Sequence, residues 1–293
     1  MVVRKLRRTG GANAVTVTVA VVAVAAAVMG VSQCSGAVDA TPPVGAAVAS
    51  GTAVSDSEGD AVDMVRGVPD TLARAGTSKT RTSMEVATGG TRLTIKGGGG
   101  YDFRKRHGRL QVLLPEDGAA DRPHRRITEL LTPGALYMKN RGAGVPADKW
   151  VRVDTTTLAD GNLVTGGATD PAAAAELLRA ARQVTYVGQE WVEGVPVAHY
   201  RGTTDIGDAA KVASPQVRGA LAAAAKGFAT DTVPFDVYLD DQGRLRKVRH
   251  RFSFANEGRE VDVASTTVLY EFGVPVDVQL PSRQDIYTGK IEG

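Results

Sequence analysis

The sequence predicts an α+β fold: a strongly curved antiparallel β-sheet, an incomplete barrel, with about three helices packed on its concave face. Three observations carry this. Many segments alternate apolar and polar residues with period two. Short polar turns join them, which suits antiparallel pairing. Two Pro-initiated amphipathic stretches interrupt the pattern, and such helices must bury their apolar stripe against the sheet.

The strands follow in order. Thr82–Thr88 sets Met84 and Val86 on one face and Ser83 and Glu85 on the other. Thr91–Lys96 places Leu93 and Ile95 together, opposite Arg92, Thr94 and Lys96. Leu110–Leu114, Leu136–Lys139 and Trp150–Val153 are further short candidates, and Gly97–Gly100 reads as a turn. In the second half the candidates are Gln183–Trp191, Val197–Ile206, Val233–Asp240, Leu245–Ala255 and Val261–Phe272. Phe235, Val237 and Leu239 form one apolar face. Asp240-Asp241-Gln242-Gly243 is a hairpin turn with glycine at a positive-φ position, which is a better reading than a cation site. Asp170-Pro171 gives a cap and a first-turn proline for a helix over Ala172–Arg182. Ser214-Pro215 repeats the signal, and Val217, Leu221, Ala224, Ala225 and Phe228 then fall on one stripe. A weaker helix lies between Ala61 and Ala75, interrupted by Gly67 and Pro69.

The formal charge of +3 misleads, because Arg4, Lys5, Arg7 and Arg8 alone exceed that surplus. The remainder is close to neutral, so the basic pI argues for no nucleic-acid partner. These four residues precede an uncharged apolar run, Ala14–Val31, as in an export signal. An uncleaved transmembrane anchor is the competing reading. Three segments result: a signal peptide over 1–33, a lipidated cysteine with flexible tether over 34–57, and a folded domain over 58–293. Val31-Ser32-Gln33-Cys34 resembles a bacterial lipobox, although Gln33 stands where Gly or Ala is usual. That resemblance implies a lipid-linked Cys34 as mature N-terminus, acyl chains such as palmitate, and anchoring to the outer face of the cytoplasmic membrane. Cleavage after Ala37 or Ala40 is the alternative, and would discard Cys34. A single cysteine excludes a disulfide framework.

Two sequence stretches resemble a known family. Gly194-Val195-Pro196-Val197-Ala198-His199-Tyr200-Arg201-Gly202-Thr203 is similar to a strand motif of actinobacterial LppX/LprG-like lipoproteins. Pro234–Arg246 looks like their later hairpin. The resemblance covers most of Ala61–Asp285 and implies a LolA/LolB-like fold over an apolar cavity that binds a lipid or acylated glycolipid. It assigns no catalytic residue.

No nucleophile elbow, zinc-protease helix, Walker loop or paired-cysteine motif occurs, and no cofactor or metal site is expected. His107, His124, His199 and His250 show no ligand spacing. Trp150 and Trp191 read as core or rim residues. The candidate cavity wall is Phe235, Val237 and Leu239 from the sheet with Val217, Leu221 and Phe228 from the helix. Two basic clusters remain, Arg104-Lys105-Arg106-His107-Gly108-Arg109 with Arg122, Arg125 and Arg126, and Arg244–Arg251. Their plainer reading is charge that protects edge strands. The functional reading makes Arg104, Lys105, Arg106, Arg244 and Arg246 contacts to a membrane or a lipid headgroup. The sequence thus predicts a non-enzymatic, membrane-anchored lipid-binding or lipid-transfer lipoprotein. The alternative is an envelope sensor or interaction module that binds a membrane protein.

Overall fold

Eleven strands form one antiparallel sheet in a computed structural model that describes residues 51–88, 90–114, 125–142, 144–256 and 259–289. Cys34, Arg122 and His124 lie outside the described residues. The strands are β1 Thr77–Thr88, β2 Thr91–Asp102, β3 His107–Leu114, β4 Arg125–Thr132, β5 Ala135–Lys139 and β6 Trp150–Asp154. The second half adds β7 Ala181–Val192, β8 Val195–Asp205, β9 Thr232–Leu239, β10 Leu245–Asn256 and β11 Arg259–Tyr270. Their spatial order is β6-β5-β4-β3-β2-β1-β11-β10-β9-β8-β7. The first and last strands do not pair, so the sheet is open. Five α-helices accompany it among the described residues: α1 Gly51–Arg66, α2 Val68–Ala75, α3 Pro171–Leu177, α4 Ile206–Val212 and α5 Pro215–Gly227. None is long and apolar enough to cross a membrane.

The helices show that the sheet bends. Arg66 Nε on α1 donates to Ala181 O at the start of β7. Arg104, between β2 and β3, donates to Ala73 O and Arg74 O on α2. A flat sheet would hold those two places about 30 Å apart. The helical stretch joining them spans only about 12 Å. The right-handed twist of so wide a sheet curls it in this way.

Several expectations need correction. Gly97–Gly100 is not a turn but the interior of β2, paired with both β1 and β3. A Cβ on Gly99 would collide with the Arg109 carbonyl, so the absence of a side chain permits close strand approach. The strand β4 was not anticipated, because the buried Glu129 breaks the apolar alternation. Ile206 opens helix α4 rather than ending a strand. Asp205 caps that helix by accepting from Asp208 N at 2.8 Å. The helix expected over Ala172–Arg182 ends at Leu177, passes through a 3₁₀ turn, and yields to β7 at Ala181. Gly67 splits the weak N-terminal helix in two. Helix α1 begins at Gly51, inside the stretch read as tether. The cluster Arg244–Arg251 lies in the β9–β10 turn and on β10, an internal strand, so it does not protect an edge.

Other readings hold. Asp170 Oδ1 accepts from Ala172 N at 2.8 Å, capping α3. Gly243 has φ +68, and Asp240 N donates to Arg244 O at 3.0 Å, closing the β9–β10 hairpin.

Two apolar clusters fill the concave side. One joins α1 and α2 with Leu110, Leu131, Phe235, Val237, Leu239 and Val248. The other joins α3, α4 and α5 with Met84, Phe252, Val261 and Val263.

Candidate functional site

A polar seam runs along the concave face. Along the concave face of β1 stand Ser78, Thr80, Thr82 and then Met84, all buried. Met84 lies opposite Ser265 of β11, which in turn lies opposite His250 of β10. Ser265 Oγ bonds Thr169 Oγ1 at 2.5 Å. Thr169 ends a loop, residues 161–169, that crosses the interior. A Cβ on Gly166 would stand 3.1 Å from both Asn162 Oδ1 and Glu129 Oε1 on β4. One on Gly167 would stand 3.1 Å from Ile95 of β2. The loop therefore passes over β4, β2 and β11 in turn. Asp160 shapes it, accepting from Val164 N at 2.7 Å and from Thr165 N at 2.6 Å. Connecting segments normally run over the surface, because their backbone groups need water. Here Asn162, Leu163, Ala168 and Thr169 are buried.

The seam contains hydrogen-bonding atoms without partners. These include the hydroxyls of Ser78, Thr80 and Thr82, both carboxyl oxygens of Glu129, Asn162 Oδ1 and His250 Nε2. A buried group left unpaired costs about 1–3 kcal/mol, so such a concentration is unusual for a core. Burial raises the Glu129 carboxyl well above the usual carboxylate range, which favours its protonated form. Beside Asn162 a small pocket opens between Leu131–Ala135 and the first turns of α5, with about 30 Å³ of free volume. Tyr101, Arg106 and Asp170 also line it. That volume accommodates a hydroxyl-sized group. An acyl ligand requires roughly ten times more.

Burial lowers the His250 imidazole to about 3 from its ordinary 6.5. The unfolded chain therefore takes up a proton below pH 6.5 that the folded protein refuses. Stability from this group is complete above pH 6.5 and declines as pH falls. At pH 5 the expected loss is about 2 kcal/mol. His250→Phe, between Phe235 and Phe252, should remove that share. The check is urea unfolding of both proteins at pH 7.5 and 5; equal losses in the two would refute it.

A buried ionic clasp holds the helical cover. Glu176 on α3 accepts from Arg106 at 3.1 Å, from Arg179 at 2.7 Å and from Ser214 N at 3.0 Å. Arg179 also binds Asp70 of α2 at 2.7 Å. Burial opposes ionisation of Glu176, but Arg179 and the Ser214 N–H outweigh it and hold the carboxyl below its ordinary range. One carboxylate thus ties together α2, α3, the start of α5 and the β2–β3 turn.

The expected site residues fall as follows. Phe235, Val237 and Leu239 are buried in the first cluster; Val217, Leu221 and Phe228 are buried in the second. The structure places the two sets in different clusters and does not bring them into one wall. Arg106 is in the clasp. Arg104 bonds the carbonyl end of α2. Lys105 is exposed, 4.0 Å from Asp102. Arg244 and Arg246 face Asp240 and lie over the Phe272 ring at 4.8 and 5.4 Å. His199 on the convex face binds Glu190 and Asp236 at 2.8 and 3.0 Å. Glu129, Asn162 and the 161–169 loop were missed. Gly161-Asn162 reads only as a turn, and a glutamate within a strand reads as solvent-facing. Among the described residues no group of His, Cys, Asp and Glu could hold a metal ion.

No family model matches the sequence. A Streptomyces griseus protein, described as an uncharacterised 31.2 kDa protein in the rplA–rplJ intergenic region, is 28% identical over 169 residues, which are 51% of this chain and 52% of that one. The chain therefore spans about half the length of that relative. Among solved structures, LprF of Mycobacterium bovis matches with TM-score 0.41 at 13% identity, covering 76% of this chain and 98% of LprF. The Mycobacterium tuberculosis lipoprotein LppX matches with TM-score 0.42 at 10% identity, covering 76% of this chain and all of LppX (100%). The MucA/MucB complex of Pseudomonas aeruginosa gives TM-score 0.30 at 15% identity, over 78% of this chain and 61% of that one.

Proposed function

We propose that the protein is an exported, membrane-anchored lipoprotein that binds or transfers a lipid or acylated glycolipid between the concave face and the helices, without catalysis. One observation carries this reading: beside its apolar clusters the interior holds a buried loop and a set of polar atoms without partners. Loop and ligand compete for the same space. Withdrawal of residues 161–169 with α4 and α5 would open the buried seam between sheet and helices. Acyl chains would then lie against Phe235, Val237 and Leu239 on the sheet and Val217, Leu221 and Phe228 on α5. Glu129 and Asn162 would meet a neutral hydroxyl or ester group. Passage of an acyl chain from bilayer to protein keeps it out of water at both ends, so transfer is near thermoneutral and the protein lowers the barrier.

Native mass spectrometry of the full chain after mild extraction is expected to detect a bound lipid. An empty protein that also fails to bind a fluorescent fatty-acyl probe would overturn the reading. The small volume of the pocket favours a second reading, an envelope sensor that binds a membrane protein. Its signature is a stoichiometric membrane partner recovered with the anchored protein together with an interior that never accepts the probe.

A further inference from the structure

The two edges of the sheet differ. At β6 the C-terminal segment covers the edge: Trp150 bridges to Ile286, and Tyr287 N donates to Trp150 O at 2.8 Å. Among the described residues no strand lies beyond β7. Along β7, Trp191 is 73% exposed, Tyr186 51% and Val187 49%, and Met64 on the adjoining α1 is 46% exposed. Glu190 reaches His199 on the convex face, so its neighbour Trp191 projects to the concave side. Tyr186 shares that side, packing edge-on against Tyr200 at 5.5 Å. Tyr200 Oη donates to Met64 Sδ at 3.5 Å. Met64, Tyr186 and Trp191 therefore line one rim, where the helical cover meets the free edge. Isolated exposed apolar residues are ordinary, but aromatic residues gathered on a free edge mark a contact surface.

The direction of α1 indicates what that surface meets. Arg66, at the end of α1, touches Ala181, the first residue of β7. Met64 lies at the level of Tyr186, further along the strand. Helix and strand are antiparallel, so the N-terminal end of α1 points toward the β7–β8 hairpin, where Trp191 stands. The chain leading from Cys34 thus enters the fold at the Trp191 end. Residues 35–50 can span at most about 55 Å.

We propose that Met64, Tyr186 and Trp191 dock the domain into the interfacial layer of the bilayer that carries its anchor, presenting the seam between α1 and β7 to the lipid. Tyr and Trp suit this layer, where one end of the ring is apolar and the other wet. The nearby acids do not oppose it, because Glu190 is bound by His199 and Glu193 by Arg81 at 2.8 Å. The inference rests on the anchored lipid-binding reading.

The chain has two tryptophans, so its fluorescence reports the two edges. The full lipidated chain is reconstituted in phosphatidylcholine–phosphatidylglycerol vesicles with and without brominated acyl chains. Wild type minus Trp191→Phe isolates Trp191, and Trp150→Phe gives an independent reading. Trp191 should shift to the blue and be quenched by bromolipid severalfold more than Trp150. Free quenching of Trp191 by aqueous iodide in vesicles, or cross-linking of β7 to β7 of a second copy, would overturn the proposal. Native mass spectrometry on the same samples separates the failures. A lipid-filled protein with unquenched Trp191 overturns the docking alone, and a quenched Trp191 on an empty protein supports docking while overturning lipid binding.

Discussion

Glu176→Ala is expected to lower the unfolding free energy by about 3 kcal/mol and to loosen the helical cover. Glu176 is 1% exposed and carries two arginines and a backbone N–H. Breaking a buried ion pair from one side typically costs about 3–5 kcal/mol, because the partner charge is left uncompensated. The lower end applies here, since Arg106 and Arg179 keep some access to water and Arg179 retains Asp70. Asp70→Asn, by contrast, removes a carboxylate that is 59% exposed, and should cost under about 1 kcal/mol. Urea unfolding distinguishes the two through their midpoints at unchanged slope. A loss below that of Asp70→Asn would sink the idea that Glu176 is the clasp. The clasp also has a pH signature. The Glu176 carboxyl is held below its ordinary 4.5, so its contribution is present above that pH and is lost as pH falls through the folded-state value. If the proposed function holds, Glu176→Ala also exchanges an acyl probe faster than wild type.

Glu129→Leu is expected to do the opposite, stabilising the domain by about 1–3 kcal/mol at neutral pH, the cost of a buried group without partners. Burial raises this carboxyl above its ordinary 4.5, so the folded protein holds a proton that the unfolded chain releases. The stability linked to Glu129 is therefore full below pH 4.5 and declines as pH rises toward the folded-state value. Glu129→Gln, which is neutral throughout, should remove the pH-dependent part alone. Thermal unfolding from pH 4 to 8 gives the comparison. A leucine variant less stable than wild type at every pH would mean that Glu129 is satisfied in the native interior. Improved stability with weaker retention of a hydroxyl- or ester-bearing lipid is the combined outcome that links the seam to ligand. Stability and function trade off at such sites.

The two predictions use different parts of what the sequence discloses. Period-two alternation made most strands legible, because one buried face imposes it: Met84 and Val86 or Phe235, Val237 and Leu239 can be read directly. The Asp170-Pro171 cap and the Asp240–Gly243 turn were legible too, since each is satisfied by local geometry. The near-neutral charge beyond the four basic residues at positions 4–8 is likewise a property of composition. Tertiary structure alone decided the rest. Gly97–Gly100 looks like a turn until β1 and β3 are packed on either side, where a side chain on Gly99 would meet backbone. Glu129 looks solvent-facing until helices and the 161–169 loop cover it, because burial belongs to the assembled fold and not to the residue. Arg106, Arg244 and Arg246 look like free positive charge until Glu176 and Asp240 are brought beside them from distant or turned segments. Trp191 sits on the free edge only because β7, neither first nor last in sequence, is last in the sheet. Local patterns encode which residues face inward; strand order and long-range contact determine what they meet there.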